Sequence, residues 1–230
     1  MSQHGNRPNN ERCSLSALVE QLREGCEAIA RFQGGYTYHA EEVGIFREIG
    51  SQNQLFLEDE PLELSTSPWD EGNEHQVWFQ PETSTYLKAT WPDHFGMKVL
   101  HRHDEEPSAS PIDYLERWMW HNKLFGDSVD FVGALESDQG LRLIIRQPAI
   151  EGLPASEEEI DTFFISTGWQ RFTISSDVAY FDPLQQVVIS DTHRGNIIAT
   201  DDGLLLPIDL RVQPVNGALL ETVAQLIARA

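Results

Sequence analysis

The sequence predicts an α+β fold, and three observations support this class. Residues 76–79 and 85–90 are two short runs of β-forming residues separated by a polar turn. Residues 202–203 are Asp-Gly between two apolar runs, which is a strong hairpin signal. Residues 15–29 and 111–124 carry apolar side chains at helical spacing, and this predicts amphipathic helices beside the strands.

Length and charge limit the classes of function. The chain has 230 residues, enough for one large domain or two small lobes. It contains 37 acidic and 16 basic residues, a formal net charge of −21. This balance argues against a general nucleic-acid surface or an anionic-membrane surface, although it leaves room for a small basic pocket that binds a nucleotide. Most of this negative charge is interpreted as serving the solubility of the protein.

Cysteine usage and the first residues predict a cytoplasmic protein. Cys13 and Cys26 suggest neither a zinc site nor a disulfide framework, which fits a reducing compartment. Residues 1–12 are polar, are expected to be disordered, and lack the apolar segment of a signal peptide. No apolar run is long enough to span a bilayer, so no membrane contact is expected.

The first third of the chain predicts helices that brace a lobe. A helix is expected to begin at Ser14 or Ser16 and to end before Gly34-Gly35. A second helix is expected over 40–49, and a strand is expected around 63–65. No pattern in these segments indicates chemistry.

The remaining elements follow from similar signals. A lysine, Lys88, stands in the middle of the predicted strand 85–90, where it either faces solvent or has a function. Ser110 and Ser156 are placed to cap helices. The other predicted elements are strands at 129–134 and 141–146, extended pieces over 169–186 and a final amphipathic helix over 219–227.

Residues 187–212 carry the clearest functional pattern. An apolar strand ends at Asp191, a polar loop leads to Asn196, and the next hairpin ends at Asp209. This layout predicts that the three side chains lie at one end of a small sheet and face one crevice. Their oxygens suit Mg²⁺. Each residue alone is commoner in ordinary turns, but the combination with strands on both sides favours a site.

Here the chain resembles the protein kinase superfamily, most closely the kinase-like domain in polyvalent proteins of phages and mobile elements. Asn196 follows Asp191 by five residues, and Asp209 follows Asn196 by thirteen, as in that superfamily. Residues 72–75, Gly-Asn-Glu-His, resemble a pattern of the polyvalent family. The resemblance implies a two-lobed fold, with a β-sheet N-lobe and its helices over 13–146. A hinge and a much reduced C-lobe would follow over 147–230, and the whole would form one structural unit.

The resemblance also implies roles for the site residues. Asp191 would be the catalytic base, and Asn196 and Asp209 would hold Mg²⁺. Lys88 would meet the α- and β-phosphates of ATP. Glu116, on the helix over 111–124, would pair with Lys88, although it could equally be a surface charge.

Further nucleotide contacts are implied near the phosphates and the adenine. Gly72, Glu74 and His75 belong to the loop that would cover the phosphates. Gln147 and Ala149 belong to the hinge, whose backbone groups would meet the adenine edge. Pro148 has no N–H, so the donor would come from Ala149 or a neighbour.

Several departures leave two functions open. Ile189-Ser190-Asp191 and Asp209-Leu210-Arg211 replace the motifs of conventional kinases, and fewer than two dozen residues follow Asp209. The loop before the first hairpin has a single glycine, Gly72. The first function is an ATP/Mg-dependent phosphotransferase acting on an undetermined hydroxyl acceptor, which could be a protein. The second is an inactive kinase-like module that binds a nucleotide or a protein through its acidic surface.

Overall fold

The computed structural model describes residues 14–31, 37–103 and 105–229, and within them the chain is α+β as predicted. These residues form five α-helices, one short 3₁₀-helix and three antiparallel sheets. The predicted disorder of residues 1–12, Cys13 and the helix break at Gly34-Gly35 lie outside the described residues.

A five-stranded sheet dominates the first part of the chain. Its strands, in chain order, are β1 (Asp70–Glu71), β2 (His75–Gln80), β3 (Thr85–Thr90), β4 (Asp130–Ser137) and β5 (Gly140–Pro148). The spatial order is β1-β2-β3-β5-β4, so β3 lies in the middle. Lys88 pairs with Val77 on one side and with Ile145 on the other. In this central position Lys88 is buried. Of the two alternatives that the sequence left open, exposure to solvent is therefore wrong.

Three helices cover this sheet, and they are α1 (Leu15–Ala30), α2 (His39–Gln52) and α3 (Pro111–Phe125). The predicted caps are confirmed: the Ser14 hydroxyl accepts from the Ala17 N–H, and the Ser110 hydroxyl accepts from the Asp113 N–H. Such caps satisfy N–H groups that a helix leaves unpaired at its start. Leu18, Leu22, Phe46, Leu115 and Trp118 are among the side chains that build the shared core.

The second half contains two smaller sheets and two helices. Its elements are β6 (Leu153–Pro154), α4 (Glu157–Ser166), β7 (Gln170–Ile174), β8 (Asp177–Asp182), β9 (Val187–Ser190), β10 (Ile197–Ala199), β11 (Leu205–Pro207), β12 (Arg211–Pro214) and α5 (Gly217–Ile227). One sheet has the order β12-β9-β8-β7 and the other β11-β10-β6. The predicted capping box of α4 is present, since Ser156 and Glu159 bond to each other's backbone N–H groups.

Two sequence predictions differ from the structure. The strand expected around 63–65 is a 3₁₀-helix, Leu62–Ser65, because Pro61 precedes it and Leu62 points into solvent instead of pairing with a neighbour. The single small sheet expected over 187–212 is two sheets, since β9 pairs with β8 and β12 while β10 pairs with β6 and β11. The residues at the ends of β9, β10 and β11 therefore meet where two sheets adjoin.

Residues 149–152 connect the large sheet to the small ones. Gly152 makes this connection possible, because a Cβ there would lie 2.4 Å from the Ala199 carbonyl oxygen at a φ of +157°. Among the described helices, none combines the length and the apolar character needed to cross a membrane.

Candidate functional site

Asp191 lies directly after β9 in a strained backbone position. Its φ is +64°, a left-handed conformation that side-chain-bearing residues adopt rarely and that is often found at functional sites. One carboxylate oxygen, Oδ1, is 3.4 Å from His193 Nε2, and the other, Oδ2, is 3.8 Å from Arg211 Nε. The carboxylate therefore lies between two nitrogen-bearing side chains and is about one-third exposed.

Asn196 joins the loop after β9 to the segment before β12. Its side-chain Nδ2 donates to the Asp191 carbonyl at 3.0 Å. Its own carbonyl accepts from the Ile208 N–H at 2.9 Å, next to Asp209. Arg211 in turn pairs with Ser190. Backbone and side-chain contacts thus bring the ends of the predicted motif together across the two sheets.

Lys88 reaches this region from the large sheet. Its Nζ lies 3.6 Å from Asp209 Oδ2 and 3.5 Å from the Ile208 carbonyl oxygen. The same Nζ is 5.2 Å from the centroid of the Trp118 ring. Lys88 is only 7% exposed, and a buried ammonium needs such a partner to offset its lost hydration. The predicted lysine and the predicted metal-binding aspartate are therefore neighbours.

Arg117 on α3 is the residue that sequence reasoning missed. Its Nε donates to the Leu210 carbonyl at 2.7 Å, and its two terminal nitrogens donate to Glu74 Oε1 and Asp209 Oδ1, each at 2.6 Å. The available signal was an arginine flanked along the buried face of the helix by Tyr114, Trp118 and His121. A planar guanidinium suits this role, because it can donate in several fixed directions at once.

The electrostatics of Asp209 follow from these contacts. Burial raises the pKa of its carboxyl, but Lys88 and then Arg117 outweigh burial and hold that pKa well below its usual value. For the Arg117 guanidinium, burial acts in the other direction and lowers the pKa. Glu74 and Asp209 outweigh burial and raise this pKa above its ordinary value. Asp209 is therefore ionised throughout the neutral range, as a ligand of a metal ion must be.

Glu116 does not pair with Lys88 in this structure. Its carboxylate contacts the Arg23 guanidinium of α1, which also contacts Asp113 at 3.0 Å. The reason is helical geometry, because adjacent residues on a helix point about 100° apart. Arg117 faces the site, and its neighbour Glu116 consequently faces α1.

The loop before β2 is organised by internal contacts. The Gly72 N–H donates to the His75 carbonyl at 2.8 Å, so it is used within the turn instead of facing a phosphate. The Glu74 carboxylate faces Arg117. His75 is buried, with its Nε2 2.9 Å from the Tyr114 hydroxyl, and burial lowers its pKa. Its side chain is therefore buried within the protein, whereas the resemblance placed His75 in the loop that would cover the phosphates.

The residues expected at the adenine edge also form hydrogen bonds within the protein. The Ala149 N–H donates to the Ser84 carbonyl at 2.9 Å, because β3 and β5 stay paired up to Pro148. This corrects the expectation that Ala149 supplies the free donor. The Gln147 side chain is buried and donates to Asp127 Oδ2 at 2.7 Å and to the Ile208 carbonyl at 2.9 Å. Gln147 thus supports the segment that leads into Asp209.

The donor set fits Mg²⁺ only in a limited way. Among the described residues, no three His, Cys, Asp or Glu side chains converge so as to hold a metal ion. The Asp209 carboxylate and the Asn196 amide oxygen are hard donors on adjoining segments. Two protein oxygens suffice for Mg²⁺ where phosphates and water complete its shell, so these residues fit an ion that binds together with a nucleotide.

A comparison with known protein families identifies the family of this chain. A family model described as the serine/threonine/tyrosine kinase found in polyvalent proteins matches residues 39–213, more than half of the chain. The chain belongs to this kinase family. The matched residues run from the start of α2 into β12, and they include Lys88, Arg117, Asp191, Asn196 and Asp209. No curated protein and no solved structure matches the chain at a significant level.

Membership in this kinase family supports the resemblance inferred from the motifs. The α+β fold, with a five-stranded sheet followed by smaller sheets, is compatible with a kinase-like architecture. The family is one of phosphotransferases, so a kinase-like activity is the function to test.

Proposed function

We propose that the protein is an ATP/Mg-dependent phosphotransferase that transfers the γ-phosphoryl group to a hydroxyl acceptor. The observation that carries this proposal is the contact between Lys88 and Asp209. Lys88 lies in β3 of the large sheet, whereas Asp209 lies far along the chain, in the segment between β11 and β12. A buried lysine beside an ionised aspartate provides one group for phosphate and one for metal at the same point.

Four residues of the chain would have separate roles in this reaction. Lys88 orients the α- and β-phosphates, and Asp209 with Asn196 holds the metal ion. The bound Mg²⁺ would neutralise phosphate charge during transfer. Asp191 accepts the proton of the attacking hydroxyl. Most of the acceleration in this reaction class comes from positioning and electrostatics, which suits a site of preformed ion pairs.

An open groove gives an acceptor access to Asp191. The groove is lined by Asp191, Thr192 and His193, together with residues that include Asp161, Arg171 and Asp177. An acceptor hydroxyl placed in this groove would reach the proposed base.

A second candidate function is a kinase-like module that binds without transferring phosphate. The observations that favour it are the N–H groups of Gly72 and Ala149, which are both used within the protein. Asp209 also has both carboxylate oxygens close to cations, Arg117 and Lys88. In this reading the protein binds a nucleotide or a partner and leaves ATP intact.

Labelled ATP separates these two functions. We expect the parent to release or transfer labelled γ-phosphate in the presence of Mg²⁺. Asp191→Asn should keep nucleotide binding but lose transfer, because the amide cannot accept the proton. Asp138→Asn, which removes an exposed carboxylate in the turn between β4 and β5, is the matched control and should keep activity. Transfer by Asp191→Asn at the parent's rate would contradict the proposed role, and a parent that binds ATP without turnover would favour the binding module.

A further inference from the structure

The ion cluster around Arg117 has a composition that the motif residues alone do not explain. Arg117 is buried, and its guanidinium contacts two carboxylates, those of Glu74 and Asp209. Lys88 adds a second cation beside Asp209. The cluster contains two cations and two anions and is therefore formally neutral. Its four members come from four separate segments of the chain.

Arg117 alone would oppose metal binding at Asp209. A guanidinium beside a carboxylate partly cancels its negative charge and repels an approaching cation. Its benefit is geometric, since Nε fixes the Leu210 carbonyl while a terminal nitrogen fixes the Asp209 carboxylate. The two effects have opposite signs, so a site that uses Arg117 to position Asp209 needs a group that offsets its charge.

Glu74 is placed to be that group. Its Oε1 accepts from Arg117 at 2.6 Å and lies 3.3 Å from His75 Nε2. The fit against the backbone is also close, because a Cβ on Gly96 would lie 2.3 Å from Glu74 Oε2. The carboxylate therefore occupies a space that only a glycine at position 96 leaves open.

We infer that Glu74 and Arg117 form a positioning pair, in which Arg117 presents Asp209 to Mg²⁺ and Glu74 offsets the charge of Arg117. This inference rests on the proposed nucleotide and metal function. It assigns the glutamate of the Gly-Asn-Glu-His loop to the metal side of the site, whereas the sequence placed it among the nucleotide contacts. It also explains why the loop before β2 is linked to α3.

The test is the Mg²⁺ dependence of nucleotide binding, measured by thermal shift or calorimetry at fixed ATP. Glu74→Gln keeps the shape of the side chain and removes its charge. We expect the Mg²⁺ concentration at half-maximal binding to rise by about tenfold, the size of effect that one uncompensated charge has near a partly buried site. Glu71→Gln removes an exposed glutamate three residues earlier and should leave the Mg²⁺ dependence unchanged.

A second pair of variants displaces Glu74 without changing any charge. Gly96→Ala places a methyl group on the Glu74 carboxylate at a φ of +83°. Gly203→Ala imposes the same backbone strain at a φ of +84°, with no atom within 4 Å of the new methyl. We expect Gly96→Ala, and not Gly203→Ala, to raise the Mg²⁺ requirement in the same direction as Glu74→Gln.

The outcomes separate this inference from the proposed function. A parent that shows no Mg-dependent ATP binding overturns both. A parent that binds, together with Glu74→Gln and Gly96→Ala variants that keep its Mg²⁺ requirement, overturns the positioning pair alone. If Glu74→Gln fails to fold, Gly96→Ala against Gly203→Ala decides the question. Loss of thermal stability with an unchanged Mg²⁺ requirement would assign Glu74 a purely structural role.

Discussion

At the scale of single residues, the site is a set of charges held by burial and pairing. Lys88, Arg117 and Asp209 would each be costly to bury alone, and each is offset by another member of the cluster. His121 lies beside this cluster, with its Nδ1 3.3 Å from Asp127 Oδ2. Asp127 in turn accepts from Gln147, which supports the Ile208 carbonyl.

The burial of His121 gives a prediction on pH dependence. Burial lowers the pKa of His121 below its ordinary value of 6.5, although Asp127 opposes the shift. Between the lowered pKa and 6.5, the unfolded chain binds a proton that the folded chain does not. The free energy of unfolding should therefore fall as the pH drops below 6.5, and His121→Gln should weaken that dependence.

Chemical denaturation between about pH 7.5 and about pH 5.5 measures this dependence. His101→Gln changes an exposed histidine and should behave like the parent. Burial also lowers the pKa of His75, so part of the dependence should persist in His121→Gln. Equal pH dependence in the parent and in His121→Gln would show that the folded protein accepts the proton at His121 without cost.

At the scale of elements, α3 is the element on which the site depends. One face carries Arg117 toward the site, and the adjacent face carries Glu116 toward Arg23 of α1. Further along the helix, the rings of Trp118, His121 and Phe125 contact one another in series. Phe125 then packs on Phe164 of α4 and on Trp169, which lies between α4 and β7. The helix therefore links the large sheet to the second half of the chain.

The contact between Glu116 and Arg23 predicts a stability effect without a binding effect. Glu116→Gln should lower the free energy of unfolding by about 1–2 kcal/mol, because a charged hydrogen bond is weakened while Arg23 keeps Asp113. MgATP affinity should stay at the parent's value, since Lys88 contacts Asp209 instead. Glu24→Gln, an exposed neighbour on α1, controls for lost surface charge. Weaker MgATP binding without a loss of stability would restore Glu116 as the partner of Lys88.

The sequence predicted most elements of this fold, and each exception has a physical cause. Caps at Ser14, Ser110 and Ser156 and the turn at Asp202-Gly203 are local signals, and the structure confirms the helices and the hairpin that they predict. Division of the last strands into two sheets depends on pairing with β6, β8 and β12, which no local pattern encodes. The 3₁₀-helix at Leu62–Ser65 has a different cause, since Pro61 precedes it and Leu62 is exposed to solvent.

The same distinction applies to the candidate site. Asp191, Asn196 and Asp209 could be proposed because their spacing along the chain forms a motif. Arg117 could not be assigned, because its partners Glu74, Asp209 and Leu210 are distant in sequence. The use of the Ala149 N–H by Ser84 depends on how far β3 and β5 stay paired.

At the scale of the whole molecule, a strongly acidic chain gathers several of its few cations at one site. Only 16 of 230 residues are lysine or arginine. Lys88 and Arg117 lie at Asp209, and Arg211 lies near Asp191. A net charge of −21 repels a polyanion such as ATP at long range. Local cations and a metal ion must therefore account for its binding, so Mg²⁺ dependence is the property to measure first.

The most direct test is the thermal stability of the parent and of Asp209→Asn with ATP, in the presence and absence of Mg²⁺. A ligand at about a hundred times its dissociation constant adds about 2.7 kcal/mol of stability. At about 2–4 °C per kcal/mol for a chain of this size, this is a rise of about 5–11 °C in the unfolding temperature. We expect this rise for the parent only with Mg²⁺, its loss in Asp209→Asn, and its retention in the exposed control Asp201→Asn. A parent with no rise at saturating ATP and Mg²⁺, or an Asp209→Asn variant with the full rise, would contradict this expectation.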